Sequence, residues 1–96
     1  MAMRVGTLRI SFMIFDAQSL KQKRQVLRSL KDRLMNTYNV SVAEIGSNDK
    51  WQIGELGIAM VANDSKFLSS ALADVRNFIG SNPAIRVING EMEIIA

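Results

Sequence analysis

The chain contains no histidine and no cysteine among its 96 residues. The first absence removes imidazole bases and the commonest metal ligand; the second removes thiol nucleophiles, redox pairs and zinc sites of the usual nitrogen–sulfur type. Catalysis would fall to carboxylates, lysine, arginine, serine or tyrosine. A chain without cysteine is compatible with the cytoplasm. No stretch approaches 18 consecutive apolar residues, so no membrane span is expected. Met1-Ala2-Met3-Arg4 runs straight into an alternating pattern and lacks a signal-peptide core, so a soluble cytoplasmic protein is expected. There is no phosphate-cradling glycine loop and no GxSxG elbow. No acid, base and anion cradle converge. The chain therefore reads as non-catalytic, with no cofactor and no metal.

What is present is a domain's worth of core. Apolar residues make up 48% and charged residues 22%, as in folded globular domains. With no linker or repeat in view, residues 1–96 read as a single domain. The net charge of +3 is unevenly spread. Residues 21–33 carry Lys21, Lys23, Arg24, Arg28, Lys31 and Arg33 against one acid, Asp32, which is +5 in that segment and −2 in the rest.

Residues 4–15 alternate, with Leu8, Ile10, Phe12 and Ile14 on one face, and predict a long half-buried strand. Ser19 with Gln22 three residues on is a capping-box pattern. Leu20, Leu27, Leu30, Leu34 and Tyr38 then recur at helical spacing, and the helix is expected to end near 36–39. A short strand is predicted over 40–46 and a long one over 51–62, joined by the turn formers Gly46-Ser47-Asn48-Asp49-Lys50. The strand over 51–62 and the first are expected to be the two longest. Gly54 and Gly57 suggest a bulge or a close backbone approach. Asn63-Asp64-Ser65 offers caps for a second helix carrying Phe67, Leu68, Ala71, Leu72, Val75, Phe78 and Ile79. Gly80 stands where a left-handed C-terminal residue belongs, ahead of Pro83. A last strand over 84–95 is interrupted at Asn89-Gly90. The order β-α-β-β-α-β with right-handed crossovers predicts an α+β, ferredoxin-like split βαβ fold. It has a four-stranded antiparallel sheet with the first and third strands central and two helices on one face.

On the first helix, Lys21, Arg24, Arg28 and Lys31 are spaced three, four and three apart and share one flank. Two readings apply: a ridge that contacts phosphates or an acidic protein, or a solvated face whose long stems cover the core edge. Lys23 projects into the apolar arc. It is either a desolvated amine or, as favoured here, a side chain that snorkels past the core edge to a carboxylate such as Asp16 or Glu44. Trp51 is a stacking platform or partner anchor, or it pins the hairpin. Met13, Phe15, Ile53, Ala59 and Val61 make the outer sheet face apolar, which points to a homodimer packing sheet on sheet, or they are scattered residues that need no partner. RNA-recognition motifs share the element order, but the third strand, WQIGELGIAMVA, lacks their basic-Gly-aromatic series. Acylphosphatases place a glycine-rich loop with an arginine after the first strand; Asp16-Ala17-Gln18 has neither.

Ser19-Leu20-Lys21-Gln22-Lys23-Arg24, Asn39-Val40-Ser41-Val42-Ala43-Glu44 and Asp49-Lys50-Trp51-Gln52, with Val5-Gly6 and Gly57, resemble the YlxP-like family of small bacterial proteins. The likeness spans essentially the whole chain. It implies a ferredoxin-like fold and a domain without assigned function or established catalytic residues. The genes of that family often lie beside those for translation initiation factor two and ribosome-binding factor A, which implies, by association, a role near the ribosome. The matching positions are Ser19, Leu20, Lys21, Lys23, Arg24, Arg33, Asn39, Ser41, Glu44, Asp49 and Trp51. Among these, Glu44 is expected as counter-charge to Lys23 or Arg24. The expected partners are RNA or the ribosome through the basic flank, and alternatively a second copy of the chain.

Overall fold

Period-two alternation buries Leu8, Ile10, Phe12 and Ile14 on one face of β1 (Arg4–Ile14). The computed structural model describes residues 2–95. After β1 come α1 (Leu20–Thr37), β2 (Ser41–Gly46), β3 (Ile53–Ala62), α2 (Ser65–Gly80) and β4 (Ile85–Ile95). The strands form one antiparallel sheet in the order β2-β3-β1-β4. The fold is α+β and ferredoxin-like, with β1 and β3 in the middle. Length alone does not mark the central strands, since β4 at the edge has 11 residues, as many as β1.

One apolar layer lies between the sheet and the helices. Leu27, Leu30 and Leu34 of α1 and Leu68, Leu72, Val75 and Ile79 of α2 meet the inward residues of β1 and β3 there. α1 packs against β2, and α2 against β1 and β4. Burial of such side chains, each contributing roughly 1.5–3 kcal/mol, is the main stabilising term.

Helix starts follow the sequence closely. The Ser19 hydroxyl accepts from the Gln22 N–H at 3.1 Å. The Gln22 side chain reaches back to the Gln18 N–H at 2.6 Å, one residue earlier than a capping box requires. Asp64 caps α2 by accepting from the Phe67 N–H. Helix and strand ends diverge more. Gly80 is not a left-handed cap: it lies inside α2, and Ser81 ends the helix in right-handed backbone at φ −78°. The last carbonyls are met instead by the Ser81 N–H and hydroxyl and by the Asn82 N–H. Phe67 is exposed although it continues the apolar pattern; on that flank Phe78 is covered by Tyr38 and Arg33, and Phe67 is not. β3 begins at Ile53, so Trp51 and Gln52 belong to the preceding bend.

β4 runs unbroken through Asn89-Gly90; its irregularity is the extra residue Ile88, where the register on β1 shifts. The second bulge is at Ile45 on β2. Gly54 and Gly57 are close approaches, not bulges. A Cβ on Gly54 would stand 2.5 Å from the Phe12 ring, and one on Gly57 would stand 2.9 Å from Ile45 Cγ2.

Replacing Gly54 by alanine should therefore overpack the space against Phe12. Gly54→Ala is expected to lower the unfolding free energy by about 1–3 kcal/mol. Urea denaturation reads this, and an unchanged midpoint would mean that Phe12 repacks freely.

Candidate functional site

The helical repeat that buries Leu27, Leu30 and Leu34 carries Lys23 inward as well. Lys23 is 1% exposed, the one buried charged side chain among the described residues. Its Nζ donates to the carbonyl oxygens of Ser47 and, at 2.6 Å, of Lys50, and lies 3.2 Å from Glu44 Oε2. An ammonium has three N–H donors and no acceptor, and here it meets three acceptors. Glu44 points toward the helices because its cross-strand partner, Leu56, does. The two carbonyls arrive because the turn after β2 folds over α1. Ser47 adopts φ 56°, and its carbonyl also accepts from the Lys50 N–H at 3.0 Å. Of the two expected carboxylates Lys23 pairs with Glu44, but it does not snorkel past the core edge: its head is buried and held by acceptors from β2 and the turn. The Ser47 and Lys50 carbonyls were not legible in the sequence, since every residue carries one. The only signal was the run of turn formers.

Lys23 fixes how α1 is rotated about its axis, and this places the remaining cations. Lys21, Arg24, Arg28 and Lys31 are all exposed. Arg33 goes to the opposite flank, where its guanidinium lies 5.4 Å from the Phe78 ring centroid on α2. The four-cation row therefore faces away from α2, along the margin of the molecule beside β2, an edge strand. Among the described residues the one ion pair is Lys23–Glu44, so none of the four is within 4.0 Å of a carboxylate. The first turn of α1 contains no acid. Lys21 there opposes the helix dipole, whose positive end is the N-terminus. Helix stability does not call for a cation at that position.

The outer sheet face brings together another group of the expected residues. Met13 and Ile53 are direct cross-strand partners. Phe15 follows two residues beyond Met13, and Trp51 precedes Ile53 by two; Ile14 N–H donates to the Gln52 carbonyl and ties the segments together. Met13, Phe15 and Trp51 are 38%, 43% and 42% exposed. Ala59 is half-buried and Val61 exposed, further down β3. The middle of this face is a shallow trough floored by Ala43, Gly57 and Ala59 and bounded by Ile45 and Arg9. Cross-strand pairing sets Arg9 opposite Glu91. No three His, Cys, Asp or Glu side chains gather as a metal would need, among the described residues. Among the described residues no helix is long and apolar enough to cross a membrane.

The family model described as "Protein of unknown function (DUF503)" matches residues 5–92. The chain belongs to the DUF503 family. It is similar to the "Uncharacterized protein YlxP" of Bacillus subtilis (strain 168), with 41% identity over 81 residues, 84% of this chain and 88% of that one. The resemblance seen in the sequence motifs is to this same group.

The motif residues of this DUF503 chain divide by what they touch. Ser19, Lys23 and Glu44 hold α1 in place, and Asp49 and Trp51 belong to the segment that Lys23 grips. Lys21 and Arg24 make no such internal contact.

Removing the ammonium should be costly and removing its charged partner less so. Lys23→Met leaves two carbonyls and a half-buried carboxylate without their donor. It is expected to lose about 3–5 kcal/mol of stability, the range for breaking a buried pair. Glu44→Gln keeps an oxygen acceptor and should lose about 1 kcal/mol. Equal, negligible losses in both variants on chemical denaturation would show that α1 is seated by apolar packing alone.

Proposed function

We propose that this chain is a non-catalytic cytoplasmic binding module that contacts RNA through the exposed row Lys21, Arg24, Arg28 and Lys31. The observation that carries the reading is that four cations share one helix flank, all exposed and none paired with a carboxylate among the described residues. Ordinary solvated faces mix both signs, and their charges offset one another. Over the ten residue steps from Lys21 to Lys31 the row spans about 15 Å of helix, long enough to follow several phosphates. Lys21 stands against the helix dipole, a stability cost that a phosphate ligand would offset. The implied association of the family's genes with translation factors agrees with an RNA or ribosomal partner.

Binding by such a row is electrostatic and falls steeply with salt. For about four phosphate contacts on a single strand, the slope of log affinity against log salt should lie near −3. The double charge reversal Arg24→Glu/Arg28→Glu should abolish binding. Co-sedimentation with ribosomal subunits or RNA across a salt series measures both. Binding indifferent to salt and to the double change would refute the reading.

A second reading, a homodimer packed through the outer sheet face, is favoured by the contiguous placement of Met13, Ile53, Phe15 and Trp51. On this reading sedimentation at tens of micromolar gives a dimer for the wild type and a monomer for Ile53→Glu. A monomer in both cases would exclude it.

A further inference from the structure

Resting on the reading of α1 as a phosphate-contacting element, we propose that Trp51 is a stacking platform for an unpaired base, so that the ligand is single-stranded RNA.

The placement of Trp51 follows from Lys23. The ammonium grips the Lys50 carbonyl, and that carbonyl belongs to the peptide group that begins Trp51. The same ammonium holds the Ser47 carbonyl, and the Lys50 N–H closes the turn back onto Ser47. On the other side, the Gln52 carbonyl is held by the Ile14 N–H at 2.8 Å. Trp51 is thus displayed from backbone fixed on both sides, and one of those holds is Lys23 in the first turn of α1, the helix that carries the cation row. It is the only tryptophan in the chain and is 42% exposed. A large apolar ring left half in water on a rigid mount offers a face to a ligand without an ordering cost.

The chemistry of the turn selects a base over a phosphate. Lys50 and Asp49 cancel in charge, and Asp16 stands at the same end of the sheet, so the turn adds a ring but no net positive charge. Single-stranded polynucleotides need both parts, a cationic track for the backbone and an aromatic face for a base. A duplex keeps its bases stacked on each other and presents phosphates only. A duplex would use the row and ignore Trp51.

Because Trp51 is the sole tryptophan, its emission reports on this position without a label. The wild-type chain is titrated with a uridine oligonucleotide and with an RNA duplex of equal length, at low salt and across a salt series. The uridine strand should quench the emission and the duplex should leave it unchanged. Trp51→Ala should weaken the uridine strand about tenfold, the low end of what one stacked base contributes. Duplex binding and the salt slope should not change. If the uridine strand binds with the slope of the cation row but neither quenches emission nor responds to Trp51→Ala, the stacking role is refuted and the row survives. If neither RNA binds at the lowest salt, the row itself is refuted, and the platform with it.

Discussion

One ammonium group sets the arrangement of this molecule. Taking Lys23 out of water costs several kcal/mol unless acceptors replace the lost hydration. Three acceptors do so, and they come from separate parts of the chain: the Glu44 carboxylate on β2 and two carbonyls of the following turn. A leucine at this position would slide against its neighbours at little cost. An ammonium with three directed donors permits one rotation of α1 about its axis and one seat for the turn.

The surface follows from that rotation. With Lys23, Leu27, Leu30 and Leu34 inward, Lys21, Arg24, Arg28 and Lys31 necessarily share the flank that faces away from α2. Arg33, on the other flank, is absorbed by the Phe78 ring. The same clamp holds the peptide group that begins Trp51. Two exposed features, one electrostatic and one aromatic, thus trace to a single buried contact. The outer sheet face is built on different terms: the bulge at Ile45 and its close packing over Gly57 border a trough of small residues on β2 and β3.

Much of the fold was legible because local and long-range preferences agree. Alternation in β1 and β3, helical spacing in α1 and α2, and the caps Ser19 and Asp64 each point to the element that forms. The departures have local causes. Gly80 remains helical because Ser81 and Asn82 supply the hydrogen bonds that a left-handed glycine would have provided. Trp51 and Gln52 fit a strand pattern but have no partner on β2, whose pairing ends at Gly46. Phe67 fits the apolar stripe, yet nothing packs over it. The bulges at Ile45 and Ile88 leave no mark in the order of residues, because they reflect how two strands share their hydrogen bonds.

The order of residues sufficed for the element succession, the topology, the excess of positive charge on one helix and the absence of imidazole and thiol chemistry. Each of these depends on spacing or composition, and both can be read along the chain. Whether Lys23 lies inside or outside depended on contacts made across more than twenty residues of chain. Its burial is tolerable only because a turn delivers two backbone carbonyls to it, and carbonyls are common to every residue. That contact, formed when β2 and its turn fold over α1, orients the row of basic residues and fixes the backbone that carries the exposed indole of Trp51.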